Sequence, residues 1–270
     1  MNPSVSIAVY GASGRMGQAI LRLAVGDPRT SVVAAIVKAD SGLRRQPLRD
    51  AFGTGAGPLE YSTSIDAAAA PAVLVDFSSA EAFGEALAIA LARKIGFVSG
   101  TTGLSSAQRA AMENAAATIP VLWSANFSIG VAVLTRLARD AARMLRDWDC
   151  EIAEAHHRDK KDAPSGTALA LGRAIADARG DDFDRVAQLE RARQGAKRHG
   201  ATIGFAVTRG GDIVGEHAVM FAGDGERIEL VHRATDREIF ARGALEAAIW
   251  LARQPAGMYA FADVLEPRNP

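Results

Sequence analysis

Short apolar runs and helix-spaced apolar positions alternate along the first half of the chain. Residues 5–10, Val-Ser-Ile-Ala-Val-Tyr, form an apolar run that breaks into glycines, after which Met16, Ile20 and Leu23 or Ala24 recur at helical spacing. Further apolar runs at 31–37, 73–77, 96–99 and 121–125 read as strands, and 80–93 and 105–117 read as helices between them. Strand and helix units of this length predict a Rossmann-like, doubly wound parallel sheet covered on both faces. Ligands of such sheets sit at the carboxyl ends of the strands.

The pattern changes after residue 128. A long helix is expected over 129–146, with Val133, Leu137, Ala141 and Met144 or Leu145 on one face. Over 149–156, Cys150, Ile152, Glu154 and His156 share one side of a two-residue repeat, so His156 and His157 should point to opposite faces. Strands follow at 202–209, 216–223 and 226–234, the last two joined by Asp224-Gly225, a strong hairpin turn. An amphipathic helix is expected over 236–253. The chain therefore divides into a first domain of 1–128, with 240–270 returning to it, and a second α+β domain of 129–239 with a mostly antiparallel sheet. Residues 180–200 are charged and glycine-broken, and the glycine-, arginine- and proline-rich stretch 41–60 is expected to be a mobile surface loop.

The break after the first strand is Gly11-Ala12-Ser13-Gly14-Arg15-Met16-Gly17. Here the first glycine permits the tight turn, the second lets backbone approach a pyrophosphate, and the third lets helix and strand pack closely. A plain structural turn is the alternative, since the spacing is GxxGxxG. The second strand ends at Val37-Lys38, where proteins preferring NADH usually place a carboxylate for the ribose hydroxyls. Lys38 and Arg15 can meet a 2′-phosphate instead, which points to NADPH, while Asp40, slightly further on, keeps NADH open. Asp76-Phe77-Ser78, Gly100-Thr101-Thr102-Gly103 and Ser124-Ala125-Asn126-Phe127 lie at other strand ends and together form a candidate cofactor rim.

Charge narrows the partners. Lys plus Arg and Asp plus Glu are both 31 in 270 residues, so no global field draws the chain to nucleic acid or an anionic membrane. The single cysteine, Cys150, excludes an intrachain disulfide framework and a multi-cysteine zinc site, and no metal is expected. The start lacks the features of a secretory signal, and no apolar run spans a bilayer. The expectation is a soluble cytoplasmic protein whose partners are small molecules or copies of itself.

The densest chemistry lies at 154–167, Glu-Ala-His-His-Arg-Asp-Lys-Lys-Asp-Ala-Pro-Ser-Gly-Thr. Ser165 suits the N-cap of a helix whose free amides and dipole favour a carboxylate or phosphate, and His157 and Lys160 add positive charge nearby. His156 exchanges a proton near neutral pH without large tuning. A basic run on a solvated loop is the plainer alternative.

This run closely resembles the active-site signature of the dihydrodipicolinate reductase family, and the resemblance extends from the glycine loop to the terminal helix. It departs at Val37-Lys38, where relatives often carry a Glu-Arg pair, at Ser124 in place of alanine, and at Asp159 and Lys161. The resemblance implies NADPH- or NADH-dependent reduction of 4-hydroxy-tetrahydrodipicolinate in lysine and diaminopimelate biosynthesis, with hydride going to C4 of a cyclic imine dicarboxylate. His156 would be the acid, with Lys160 assisting. The substrate carboxylates would bind His157, Lys160, Ser165, Gly166 and Thr167, and Gly100–Gly103 with residues 124–128 would contact the nicotinamide half of the cofactor. The family is typically homotetrameric through its antiparallel sheets. The segment 209–217 also resembles the family, with Glu216 and His217 open to either a structural or a functional role. Two rivals remain: a Rossmann reductase acting on another anion, and a nicotinamide-sensing protein without turnover.

Overall fold

The structure, a computed structural model, describes residues 4–190, 198 and 200–265. It divides into two compact units, one running to Ser128 and resuming at Glu238, the other Ile129–Arg237. The terminal helix joins the first unit two residues before the position expected from sequence.

In the first unit, β1 (Val5–Tyr10) leads through the glycine turn into α1 (Arg15–Gly26) and then β2 (Thr30–Ile36). After α2 (Arg49–Phe52) and β3 (Tyr61–Ser62) come β4 (Val73–Asp76), α3 (Ala80–Arg93), β5 (Gly96–Ser99), α4 (Ser106–Ala115) and β6 (Pro120–Trp123). With β12 (Gly257–Tyr259), near the end of the described chain, the strands form one parallel sheet in the order β12-β6-β5-β4-β1-β2-β3. Both faces are covered, which is why β4 and β5 are buried throughout and read as unbroken apolar runs. Phe97 packs edge-on to Phe83 of α3, ring centroids 5.7 Å apart, in one cluster with Ala86 of α3 and Met112 of α4. Its neighbour Gly96 points the other way, where a Cβ would meet Leu251 at 3.5 Å.

The stretch 41–60 departs from expectation. It contains α2, a 3-10 turn at Thr54–Ala56 and a bridge from Pro47 to Glu60. Leu48 and Ala56 are buried, and Gly55 lies against Val25 of α1, so two apolar anchors fold this glycine-rich segment onto the helix.

The second unit contains α5 (Ile129–Met144), β7 (Asp149–His156), α6 (Gly166–Arg179), α7 (Phe183–Val186), β8 (Ala187–Gln188), β9 (Ile203–Arg209), β10 (Gly215–Gly223) and β11 (Glu226–Ala234). Sequence reading missed α7 and β8. Of the charged stretch 180–200, residues 191–197 and 199 lie outside the described residues. The sheet order is β11-β10-β7-β9-β8. Its β10–β11 and β10–β7 pairings are antiparallel as expected, but β7–β9 and β8–β9 are parallel. The helix α6 between β7 and the later strands makes that crossover, so the sheet is mixed. Gly225 takes φ +84°, the left-handed turn that closes the β10–β11 hairpin.

Cys150, Ile152, Glu154 and His156 do share the buried side of β7. For α5 the buried stripe is Leu134, Ala138 and Ala142, not the larger residues of the neighbouring face. The two alanines let α5 approach the core closely, leaving Val133, Leu137 and Met144 exposed at 42%, 49% and 76%. The first unit closes with α8 (Glu238–Leu251), which packs on α1 and on β4, β5 and β6, followed by β12 (Gly257–Tyr259). Nearly every small or apolar residue of α8 is buried, because it lies between sheet and helix. Among the described residues no helix is long and apolar enough to cross a membrane.

Candidate active site

The glycine loop is built without room for side chains. Gly11 has φ +76°, and a Cβ there would lie 3.0 Å from the Phe77 carbonyl oxygen and 3.1 Å from Ser78 Cα. A Cβ on Gly17 would lie 2.4 Å from the Gly11 carbonyl oxygen. The turn is held by Ala12 N–H donating to the Ile36 carbonyl at 2.9 Å and by Gln18 Nε2 donating to the Ala12 carbonyl at 2.6 Å. Gly14 caps α1 with backbone alone, and Ser13, Gly14 and Arg15 are exposed, while Met16 is half-buried. A helix start with exposed backbone and no capping side chain fits the pyrophosphate of a dinucleotide. Lys38 is exposed beyond the end of β2. Glu81 lies near it: a hydrogen bond from Ser79 first, and the Lys38 charge more weakly, hold that carboxyl below its ordinary range.

The next strand ends form a connected rim. Asp76, fully buried, accepts hydrogen bonds from the Ser78 hydroxyl at 2.6 Å and from the Ser99 and Thr101 hydroxyls at 2.8 Å each. One carboxylate thus pins two turns, its own and the one after β5, a role that its position at a strand end only hinted at. Gly100 lies against the Phe77 ring, where a Cβ would stand 2.2 Å from Cε1; Thr101 is buried and Thr102 exposed. Ser124 Oγ donates to the Asn126 carbonyl at 2.7 Å, and Ala125 is exposed. Phe127 turns its ring inward between Phe77 and Phe261, with centroids at 5.3 and 5.0 Å, so its side chain braces the rim from behind.

In the second unit, β7 delivers His156 beside the start of α6. Ser165 caps that helix as expected, its hydroxyl accepting from Ala168 N–H at 3.2 Å. The Gly166 amide is not open: it donates to Asp162 Oδ2 at 3.3 Å, while Asp162 Oδ1 pairs with Lys160 Nζ at 2.8 Å. A carboxylate of the chain itself therefore spans the lysine and the helix amide that were expected to hold an anion. The Lys160 hydrogen bond holds the Asp162 carboxyl below its ordinary range. His157 leaves the strand on the half-buried side, and Thr167 occupies the first turn of α6.

Sequence reading missed what surrounds His156. Glu154 is buried and binds His156 Nδ1 at 2.5 Å, the Ser165 amide at 3.0 Å, and both terminal nitrogens of Arg209 at 2.8 Å. Burial pushes its pKa up, but the Arg209, His156 and Ser165 hydrogen bonds together outweigh it and hold the carboxyl below its ordinary range. The signal was present in the two-residue repeat, because a glutamate on an otherwise buried face requires partners. His217 packs edge-on to His156 with centroids 5.1 Å apart, and its Nε2 lies 3.2 Å from the Ser165 hydroxyl. Burial pushes His217 down to about 4, and burial also lowers His156, against the opposing pull of Glu154.

Two family models match the chain: "Dihydrodipicolinate reductase, N-terminus" over residues 5–127 and "Dihydrodipicolinate reductase, C-terminus" over residues 130–265. A 4-hydroxy-tetrahydrodipicolinate reductase from Stenotrophomonas maltophilia (strain K279a) is 48% identical over 260 residues, covering 96% of this chain and 97% of that one. One from Zymomonas mobilis subsp. mobilis is 47% identical over 263 residues, covering 97% of each. Among solved structures, a dipicolinate-bound dihydrodipicolinate reductase from Paenisporosarcina sp. TG-14 shares the fold, with TM-score 0.74 and 22% identity over 97% of this chain and all of that one. A myo-inositol dehydrogenase from Corynebacterium glutamicum has TM-score 0.59 and 16% identity over 94% of this chain and 90% of that one, so the fold alone does not select a substrate.

Proposed function

The chain belongs to the dihydrodipicolinate reductase family, and we propose that it reduces 4-hydroxy-tetrahydrodipicolinate to tetrahydrodipicolinate in lysine and diaminopimelate biosynthesis, using NADPH or NADH. The observation that carries this reading is Asp162, whose carboxylate lies across Lys160 Nζ and the Gly166 amide at 2.8 and 3.3 Å. A site that takes a carboxylate from its own loop has the chemistry to take one from a dicarboxylate substrate.

Loss of the 4-hydroxyl group as water gives a conjugated cyclic imine, and NAD(P)H, when bound, would supply a hydride to its C4. Gly11–Gly17 and Lys38 would hold its phosphates, and Gly100, Thr101, Thr102 and 124–127 would face its nicotinamide half. In place of the Asp162 carboxylate, the substrate carboxylates would take the Gly166 amide and Lys160, with Thr167 and His157, while Ser165, whose amide and hydroxyl bind Glu154, Ala168 and His217, would hold the helix start in position. His156 delivers the proton that neutralises the electron density left by hydride addition, and the positive charge of Lys160 favours the anionic form in which that density develops. Arg158, Asp159 and Lys161 carry no step.

We also infer a homotetramer in a reducing cytoplasm. The exposed apolar stripe of α5, Ile129, Val133, Leu137 and Met144, supports self-association, and the single buried cysteine suits that compartment. The test of function is oxidation of NADPH, and separately of NADH, by the purified protein, with substrate formed in place from pyruvate and aspartate semialdehyde. Substrate-dependent oxidation is expected; binding of both cofactors without turnover would overturn the assignment.

A further inference from the structure

We propose that Glu154, braced by Arg209, is a positioning residue for this reaction: it fixes His156 with Nδ1–H on the carboxylate and Nε2 turned to the substrate, and ties that ring to the start of α6. The inference rests on the acid role of His156 proposed above.

The geometry leaves the ring little choice. The Glu154 side chain is 1% exposed, and a carboxylate that deeply buried survives as an ion only when its oxygens are saturated with donors. Arg209 engages both oxygens, and the Ser165 amide engages Oε1. The remaining partner of Oε2 is His156 Nδ1, 2.5 Å away. With the carboxylate ionised, the proton in that bond belongs to the ring, so Nδ1 carries hydrogen in both charge states and Nε2 is the nitrogen that gains and loses a proton. Nε2 lies beside Gly215, where a Cβ would stand 3.0 Å from it, so only a glycine fits against that edge of the ring.

The same carboxylate also orders the anion site. Its bond to the Ser165 amide fixes the residue that caps α6, and the other face of Ser165 is held by His217. Arg209 reaches on to the Asp162 carbonyl at 2.6 Å, so the loop carrying Lys160 hangs from the same pair. Proton donor and carboxylate site therefore share one anchor.

The charges facing His156 divide by sign. Glu154, on its own strand, favours the imidazolium; Lys160 from the loop and Arg209 from β9 oppose it, and burial adds to their side. His217 from β10, pushed down to about 4, is neutral above that pH and adds no charge.

The test is an NMR titration of the His156 imidazole nitrogens in the full chain, without substrate, assigned by loss of the signal in His156→Ala. Wild type should show a protonated Nδ1 and a titrating Nε2. Glu154→Gln keeps an acceptor for Nδ1–H but removes the charge, and should lower the proton affinity of His156 at least tenfold, by roughly one pH unit or more. Arg209→Gln should raise it. The alkaline limb of kcat should move with the titration in each variant. Should either single variant fail to fold, Glu154→Gln/Arg209→Gln removes both buried charges, and its affinity should fall below wild type because Glu154 is the nearer group. An unchanged His156 titration in folded Glu154→Gln, or shifts of one sign in both single variants, would overturn the proposal. Because the titration needs no turnover, it stands apart from the outcome of the substrate assay.

Discussion

Replacing Gly17 by alanine isolates the nucleotide loop from the rest of the protein. Helix propensity alone favours the change by roughly 0.5–1 kcal/mol, since Gly17 lies in the first turns of α1. Packing opposes it: the new Cβ would stand 2.4 Å from the Gly11 carbonyl oxygen and 2.8 Å from Ala12 Cα, both backbone atoms. Relieving this contact needs a displacement approaching an ångström in a turn fixed by the Ala12–Ile36 and Gln18–Ala12 hydrogen bonds. Overpacking of this kind costs roughly 1–3 kcal/mol, so the clash wins. If the strain falls on the loop geometry that holds pyrophosphate, dinucleotide Kd rises roughly 5- to 150-fold. The assay is calorimetric titration with NADPH and NADH beside thermal denaturation. Gly84→Ala is the control, because Gly84 is exposed within α3 and a Cβ there meets nothing within 4 Å. The control should keep wild-type affinity and gain stability. A Gly17→Ala protein with wild-type affinity and equal or higher Tm would refute the reasoning.

Lys38→Ala should raise Kd for NADPH roughly tenfold, the low end of a charged hydrogen bond because Lys38 is exposed, and leave NADH within about twofold; equal effects on both would remove Lys38 from cofactor choice. His217 has an ordinary value of 6.5 and is pushed down to about 4 by burial, so between these values the unfolded chain binds the proton and the folded chain does not. Its contribution to stability is intact above pH 6.5 and lost as pH falls toward 4, by up to about 3 kcal/mol. Thermal melts of His217→Gln should therefore lose less stability than wild type on going from pH 7 to pH 5, and parallel curves would contradict this.

The parallel sheet was legible because burial on both faces leaves unbroken apolar runs, and because Gly11 and Gly17 announce a turn with no room for side chains. The start of α6 was legible through Ser165, whose capping role depends on local chemistry alone. What escaped depends on distant partners. Arg209 is 55 residues from Glu154, and nothing near either one announces the pair. Which face of α5 is buried was not legible, because helical spacing is satisfied equally by Val133-Leu137 and by Leu134-Ala138-Ala142, and only close packing selects the smaller set. The stretch 41–60 looked loose from its glycines, whereas two apolar residues, Leu48 and Ala56, suffice to anchor it.

In the proposed mechanism His156 supplies the proton for a hydride reduction on a substrate bound at α6. The most direct measurement is kcat of His156→Ala beside wild type with the substrate formed in place, together with dinucleotide Kd for both. Loss of a positioned proton donor should lower kcat by roughly 10²- to 10⁴-fold with dinucleotide affinity unchanged. Turnover within about threefold of wild type would show that the proton comes from elsewhere.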